Sequence, residues 1–595
     1  MLLTGWPRFR WAYCQLDTLR RCPLQRIRKV LNELPRTLDE TYERTLQGID
    51  EEKWEYAYRI FQFLTISARP LRVEELAEVF AIRVDAETTG IPEFDARWRP
   101  ADAETAVLSA CSSLITVVDV CGEQVVQFSH FSVQEFLTGY RLASSKYLSR
   151  YHVLQRSAHT FVAKACLSIL LRLSTRIHKG SVKKMFPLVD YAAEHWVSHA
   201  HQGDVSSLIK DGMERLFDEK KPYFAAWLWT YNMDNPSGPH MVHTHPEKPE
   251  AGPLYYAALC GFQSMVARLV DAYPQVINAR GGDGRTPLHA ALCRGHSEVA
   301  LFLLQHRAKA NVKDSRYQTP LHIASHRGYS DVIRSLITHG ADLNAEDREN
   351  ETPLSLASRH RKIETIQLLL QHGADVNHQG SSGRAPLHVA SSYGHHEVVR
   401  LLLNNGANPN APDQYFQGPL HLASDLGCLA AASVLLEHGA DVDARDVRGW
   451  VPLHMASSGG KVEAVRLLLD HTADVDAKEE DGWTALHLAA YNGRYQVVDL
   501  LLQCGADPHT KNKEGNTPFR VVSESHNAAQ AEAARLLSKK MERRNRACRR
   551  LQGGVSRSYH IASYHDAMHD APSLVADSVR RGGLVNYSEN FRSNS

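Results

Sequence analysis

Thr286-Pro287-Leu288-His289 returns 33 residues later as Thr319-Pro320-Leu321-His322, and the same position comes round again at Thr352, Ala385, Gly418, Val451, Thr484 and Thr517. A fixed period of this kind marks a repeat array. One helix–turn–helix unit cannot bury its own apolar face, so the copies must stack on one another. The phrase also has a physical meaning of its own. A Thr hydroxyl can accept an orphan backbone N–H as N-cap, and Pro at the first helical position gives up a donor that had no partner. Each copy therefore begins a helix here, at Pro in all but the copy with Ala485.

The helix stops about eight residues on, at Gly295, Gly328, Gly394, Gly427, Gly460 and Gly493, where glycine can take the left-handed conformation that ends a helix. A second helix follows, visible as Leu301-Phe302-Leu303-Leu304, Leu368-Leu369-Leu370, Leu401-Leu402-Leu403 and Leu500-Leu501-Leu502, with stops at Gly340, Gly373, Gly406, Gly439 and Gly505. These leucines read as the core between repeats, each worth roughly 1.5–3 kcal/mol when buried. The phrase and the period most resemble the ankyrin repeat. About nine copies span residues 252–540, with an irregular first copy at Pro253-Leu254-Tyr255-Tyr256-Ala257-Ala258 and a polar last one from Thr517.

Departures from the pattern predict soft places. Arg361 stands where the first stop glycine is expected, and Arg307 and Thr472 where the second is. A Cβ in left-handed space costs about 1–2 kcal/mol. Ala385 and Val451 have no hydroxyl to cap with, so opening is expected to begin in their repeats.

Length argues for several domains. The net charge is +1, from 68 basic and 67 acidic residues, which gives no push towards nucleic acid or anionic membrane. Ten cysteines show no metal-ligand spacing and no apolar run is long enough to span a bilayer. The expectation is a cytoplasmic protein in a reducing compartment.

Before the repeats, helices are predicted over Phe9 to Arg21, Leu24 to Leu34, Thr37 to Ile49 (with a capping box at Thr37-Leu38-Asp39-Glu40), Glu52 to Ala68, Val73 to Val79 and Ala103 to Ser112. Leu114 to Val118 and Val125 to Phe128 then read as a hairpin about Asp119 to Glu123, followed by a helix over Ser132 to Tyr140. Helices, a hairpin and a further helix suggest a winged helix. The phrases Phe9 to Asp17, Leu34 to Tyr42 and Phe128 to Leu137, with Tyr191 to Trp196 and Trp227-Leu228-Trp229, resemble fungal NACHT-type STAND proteins, which are NLR-like receptors. That resemblance implies an NTPase module before the winged helix, a sensor formed by the C-terminal repeats, and a role in signal transduction and innate immunity. It also implies that His130 senses nucleotide when such a module is present, and that the protein oligomerises then. This chain contains no Gly-x-x-x-x-Gly-Lys-Ser/Thr. The chain is expected to start just after that module would end, either as a truncated gene product or as a receptor without its motor.

The expected fold is mainly α: a helical remnant over 1–50, a winged-helix domain over 51–145, a helical linker domain over 146–250, an ankyrin α-solenoid over 252–540 and a disordered tail over 541–595. No catalytic constellation, cofactor site or metal site is expected. His240, His243 and His245 read as a solvated loop, His195 and His199 as a helix surface, His130 as a helix-starting residue, and the histidines of the repeated phrase as repeat-to-repeat hydrogen bonders. DNA binding is disfavoured because Val73 to Glu78 is acidic and Ala103 to Ser109 lacks base-reading cations. The positions that repeat least are basic early and aromatic late: Arg285, Arg294, Arg327, Arg359, Arg384, then Tyr393, Phe416, Trp450, Trp483 and Tyr491. Arg, Tyr and Trp dominate binding hot spots. The expected function is non-catalytic recognition of a protein or peptide with an acidic and an apolar half, without nucleic acid or membrane. The alternative is a fragment of a nucleotide-switched signalling NTPase whose P-loop domain is missing here, and solvated charge on an ordinary outer face explains the same residues without a partner.

Overall fold

Residues 37–83, 90–173, 179–234, 249, 251–523 and 527–552 are described by a computed structural model. The helices expected before residue 37, the loop holding His240, His243 and His245, and the chain after Gln552 lie outside the described residues. Two compact units are present, one running to Pro452 together with Asp470–Thr472, the other made of Leu453–Leu469 and the chain from Ala473.

The winged helix opens the first unit. Helix α1 (Leu38–Gln47) starts at Thr37, whose hydroxyl oxygen accepts the Glu40 N–H at 3.1 Å. Next come α2 (Trp54–Ile66), β1 (Leu71–Arg72), α3 (Val73–Ala77), the short pair β2 (Ile82–Arg83) and β3 (Glu93–Phe94), and α4 (Ala103–Cys111). Strands β4 (Ile115–Val120) and β5 (Glu123–Phe128) form the wing, and β1 adds to β5, giving an antiparallel sheet in the order β1-β5-β4. The wing is longer than its sequence suggests. Only Cys121 and Gly122 turn it, at φ 54° and 85°, the two-residue geometry whose twist matches the strands it joins. The β2–β3 pair, Ile82 opposite Phe94, was not legible at two residues a side. Acidity on α3 is also less exposed than its sequence implies. Glu75 is buried and takes Arg69 at 2.7 Å and Arg72 at 3.2 Å, and buried Glu78 takes Arg99.

The chain continues through α5 (Phe131–Thr138), α6 (Tyr140–Ala143) and the linker helices α7 (Gln155–Leu170), α8 (Lys179–Met185), α9 (Val189–Ala200), α10 (Val205–Leu208), α11 (Lys210–Leu216) and α12 (Pro222–Thr230). Trp196 and Trp227 fill the linker core edge to face at 5.4 Å, and the Trp227 indole N–H donates to the Ala193 carbonyl. One correction falls here. His199 belongs to the core and not to a helix surface: its ring bonds the Tyr191 hydroxyl at 2.8 Å and the His159 ring at 2.9 Å. Burial, then the neighbouring His159 and His195, push its pKa down to about 3.

Nine helix pairs follow among the described residues, from Pro253–Cys260 with Gln263–Ala272 to Pro518–Val522 with Ala528–Gln552. Each first helix begins at the Pro, or at Ala485, of the repeated phrase. Leu500, Leu501 and Leu502 are all buried, whereas the earlier leucine runs are buried in part. Leu303 and Leu304 are inside while Leu301 and Phe302 are partly exposed, as the 3.6-residue period requires. The last helix carries the chain past Met541 to Gln552, so those twelve residues are helical where a tail was expected.

The cap works differently from its sequence reading. In the Thr286, Thr319 and Thr484 copies the acceptor is the ring of the histidine three residues on, not the hydroxyl. His289 Nδ1 accepts the Thr286 N–H at 3.2 Å and the Thr286 hydroxyl at 2.8 Å, while Nε2 donates to the Gln318 carbonyl of the next repeat at 3.1 Å. This ring therefore caps its own helix and ties it to the neighbouring repeat. Where the histidine is absent, at Ser355 and Arg520, the Thr352 and Thr517 hydroxyls take the third-residue N–H directly. Ala385 and Gly418 keep the ring bond, at 3.1 Å in both, so they lose a hydroxyl contact and not the cap.

The three replaced stop glycines do adopt left-handed backbone: Arg307 at φ 70°, Arg361 at 50° and Thr472 at 67°. Thr472 is β-branched, which makes it the most strained. Thr472→Gly is expected to raise stability by about 1–2 kcal/mol, read as a shift in urea midpoint. No shift, or a fall, would mean that the Thr472 side chain makes contacts worth more than its backbone strain.

Candidate functional site

Hairpins precede the repeated phrase, and in four of the first unit's hairpins the shape comes from one carboxylate. Asp314 Oδ1 accepts the N–H groups of Arg316 and Gln318, both at 2.9 Å. Asp347 does the same for Glu349 and Glu351, Asp413 for Tyr415 and Gln417, and Asp446 for Arg448 and Trp450. A second ladder runs through the loops after the second helices. Asn311 Oδ1 accepts the Asp342 N–H at 2.8 Å, and Asn344, Asn377 and Asn410 repeat the bond 31 residues on. Neither ladder was picked out from sequence, although both recur at the period of 33. Their role needs a partner in the hairpin or in the next repeat, and spacing alone does not name it.

With these polar positions assigned to architecture, the predicted binding residues can be placed. Arg285 is mostly covered and lies 3.4 Å from Asp283 and 3.5 Å from Asp314. Arg294 donates to the Met233 carbonyl at 2.6 Å, Arg359 pairs with Glu351, and Arg384 reaches Asp413 at 3.3 Å. Four of the five arginines thus have intramolecular work. Arg327 is exposed and makes no ion pair among the described residues. Tyr393 is 49% exposed and Phe416 62%. Trp450 is half-covered, and its backbone serves the hairpin and the His421 bond.

Trp483 and Tyr491 lie together in the second unit, with ring centroids 5.6 Å apart at 86°. Tyr491 keeps 39% of its surface exposed.

Five histidines of the repeated phrase are held towards the neutral form by burial. Burial, opposed by the next-repeat carbonyl, pushes His289 down to about 4, and burial does the same to His388. His322, His421 and His487 are lowered for the same reason. At the winged helix, His130 caps α5: its Nδ1 accepts the Ser132 N–H at 3.3 Å and contacts the Ser132 hydroxyl at 2.6 Å, which Tyr42 approaches at 2.9 Å. Among the described residues, Asp347, Glu349 and Glu351 bring carboxylates within 4.8 Å of one another. Asp347 is occupied by the hairpin and Glu351 by Arg359, so this trio is accounted for by the hairpin itself. No described helix is long and apolar enough to cross a membrane.

Comparison with known proteins agrees with this anatomy. The family described as ankyrin repeats (3 copies) matches residues 235–314, 306–380, 377–446 and 420–512. The family described as GPI inositol-deacylase, winged helix domain, matches residues 42–148. A curated protein of Monascus ruber, azaphilone pigments biosynthesis cluster protein L, is 32% identical over 268 residues, which cover 42% of this chain and 55% of that protein. The chain therefore spans about half the length of the curated relative it matches. Helix pairs, hairpins and sequence agree, and this chain carries ankyrin repeats behind a winged helix domain of the GPI inositol-deacylase type.

Proposed function

We propose that this chain is the non-catalytic, partner-recognising portion of a STAND-type receptor and that its ankyrin repeats bind a protein. The observation that supports this best is the division of labour among repeat residues. Recurring His, Asp and Asn side chains are taken up by bonds within and between repeats. Arg327, Tyr393 and Phe416, at positions whose residue type changes along the repeats, stay exposed. Exposed aromatics and an arginine with no ion pair among the described residues, carried on a packed scaffold, are what a protein-binding surface needs. A winged helix, a helical linker and C-terminal repeats also follow one another in the order the STAND resemblance implies. Cysteines without a disulfide among the described residues, Cys111 and Cys504 among them, fit a reducing cytoplasm.

The test is affinity purification of the tagged full chain from its native cells beside the Arg327→Glu/Tyr393→Ala variant. A protein retained by the wild type should fall at least tenfold with the variant and be unaffected by Thr338→Ala, which lies at the end of a second helix. An identical set of retained proteins from all three would defeat the reading.

A further inference from the structure

Each hairpin turns through a residue with left-handed backbone at the same place, the first with a second such residue, Asp283, beside it. Glycine fills that place at Gly284, Gly383 and Gly449 in the first unit, at φ 67°, 71° and 73°. Gly482 and Gly515 do so in the second, at 79° and 80°. The first unit has three exceptions. Asn350, at φ 55°, is a residue type that tolerates this region, but Tyr317 at 61° and Phe416 at 57° are not. At Gly383 the place is crowded as well as strained: a Cβ there would come within 2.5 Å of the Gln414 nitrogen and 3.0 Å of the Asp413 carbonyl carbon.

Burial does not compensate for this strain. Tyr317 is 57% exposed and Phe416 62%. Backbone strain held at exposed positions is characteristic of places that contact something else. The tips are also charged. Arg316, Arg348 and Arg448 are exposed, and their guanidinium groups have no ion pair among the described residues, while the acids on the first unit's tips are Asp283, which lies beside Arg285, and Glu349. Neighbouring tips are tied in a row by backbone bonds, Arg348 N–H to the Arg316 carbonyl at 3.0 Å, Gln414 N–H to Ser382 at 3.2 Å and Val447 N–H to Tyr415 at 3.0 Å. Rings and cations are thus presented on a fixed edge.

We propose that this row of hairpin tips is the docking edge for an acidic protein segment, anchored on Tyr317 and Phe416. The inference rests on the reading of the repeats as a protein-binding surface and names its partner's chemistry. Guanidinium groups bind carboxylates through paired, charge-assisted hydrogen bonds, and the two exposed rings accept apolar side chains. Arginine with aromatic rings also suits single-stranded nucleic acid, which the test separates.

The probe is a phage-displayed random 12-residue peptide library selected on the full chain, with a fluorescent 20-nucleotide single strand measured in parallel. Selected peptides should be rich in Asp and Glu around an apolar residue. They should lose at least tenfold in affinity to the Tyr317→Gly/Phe416→Gly variant, whose thermal midpoint should rise because the strain is gone. A gain in stability with a loss of binding cannot come from misfolding. Peptides that bind the variant as well as the wild type but fail with Arg327→Glu/Tyr393→Ala would overturn this edge and leave the protein-binding reading standing. Tip-dependent binding of the oligonucleotide without peptide enrichment would overturn the acidic partner, and failure to select any binder would overturn both readings.

Discussion

Lowering the pH from about 7.5 to 5 should take about 4 kcal/mol from the stability of the first unit's repeats through two histidines alone. His289 and His388 are held at about 4, against an ordinary value of 6.5. Between those values the unfolded chain binds protons that the folded chain refuses. The stabilising effect is therefore complete above about pH 6.5 and is lost as pH falls towards 4. At pH 5 each ring accounts for about 2 kcal/mol of the difference. His322 and His421 of the same unit are shifted in the same direction and add to the fall. Geometry explains why the rings resist protonation. Nδ1 of His388 and of His421 faces only a backbone N–H, from Ala385 and Gly418 at 3.1 Å, so a proton on Nδ1 would set donor against donor. Urea midpoints across the pH range should fall from about pH 6.5 downwards. A midpoint that stays flat to pH 5 would contradict the assignment of neutral, acceptor rings.

Replacing four buried serines with alanine should stabilise the same repeats by about 4 kcal/mol, taking about 1 kcal/mol for each unpaired hydroxyl. Ser325, Ser358, Ser391 and Ser424 recur at the period of 33, are fully buried, and their hydroxyls have no hydrogen-bond partner among the described residues. In the second unit Ser457 repeats the arrangement. A hydroxyl taken from water without a partner costs free energy that a methyl group does not, and alanine also favours the helix. The copies with Leu292 and Ala490 at this place are buried and apolar already, so the position accepts such a side chain. Equilibrium urea unfolding of the Ser325→Ala/Ser358→Ala/Ser391→Ala/Ser424→Ala variant measures the change. An unchanged or lowered stability would show that these hydroxyls have partners in solution.

Most local features were legible before the structure. Pro at the first helical position and Gly at the stops act through a single residue's φ or a missing donor, so Pro287, Gly295 and their copies mark helix ends by themselves. Arg307, Arg361 and Thr472 were readable as strained for the same reason. The candidate surface was only partly legible. Variation between copies singled out Arg285, Arg294, Arg359 and Arg384, but variation does not show that a side chain is free, and their partners lie as far as 61 residues away in sequence. Tyr317 passed unnoticed because its importance lies in its backbone angle together with its exposure. His199, four residues from His195 on an apparent surface, could not be known as core until α7 packed against α9 and brought His159 to it.

By itself, then, the sequence determined the period, the helix starts and stops, the wing and the chemistry available at each repeat, because these follow from residues within a few positions of one another. Tertiary structure alone decided which atom does the capping, which arginines remain free, which serines are left without partners and which aromatic rings stand strained at the tips. Those outcomes depend on the repeat 29 to 33 residues away, and a polar group's role is settled by what packing places against it.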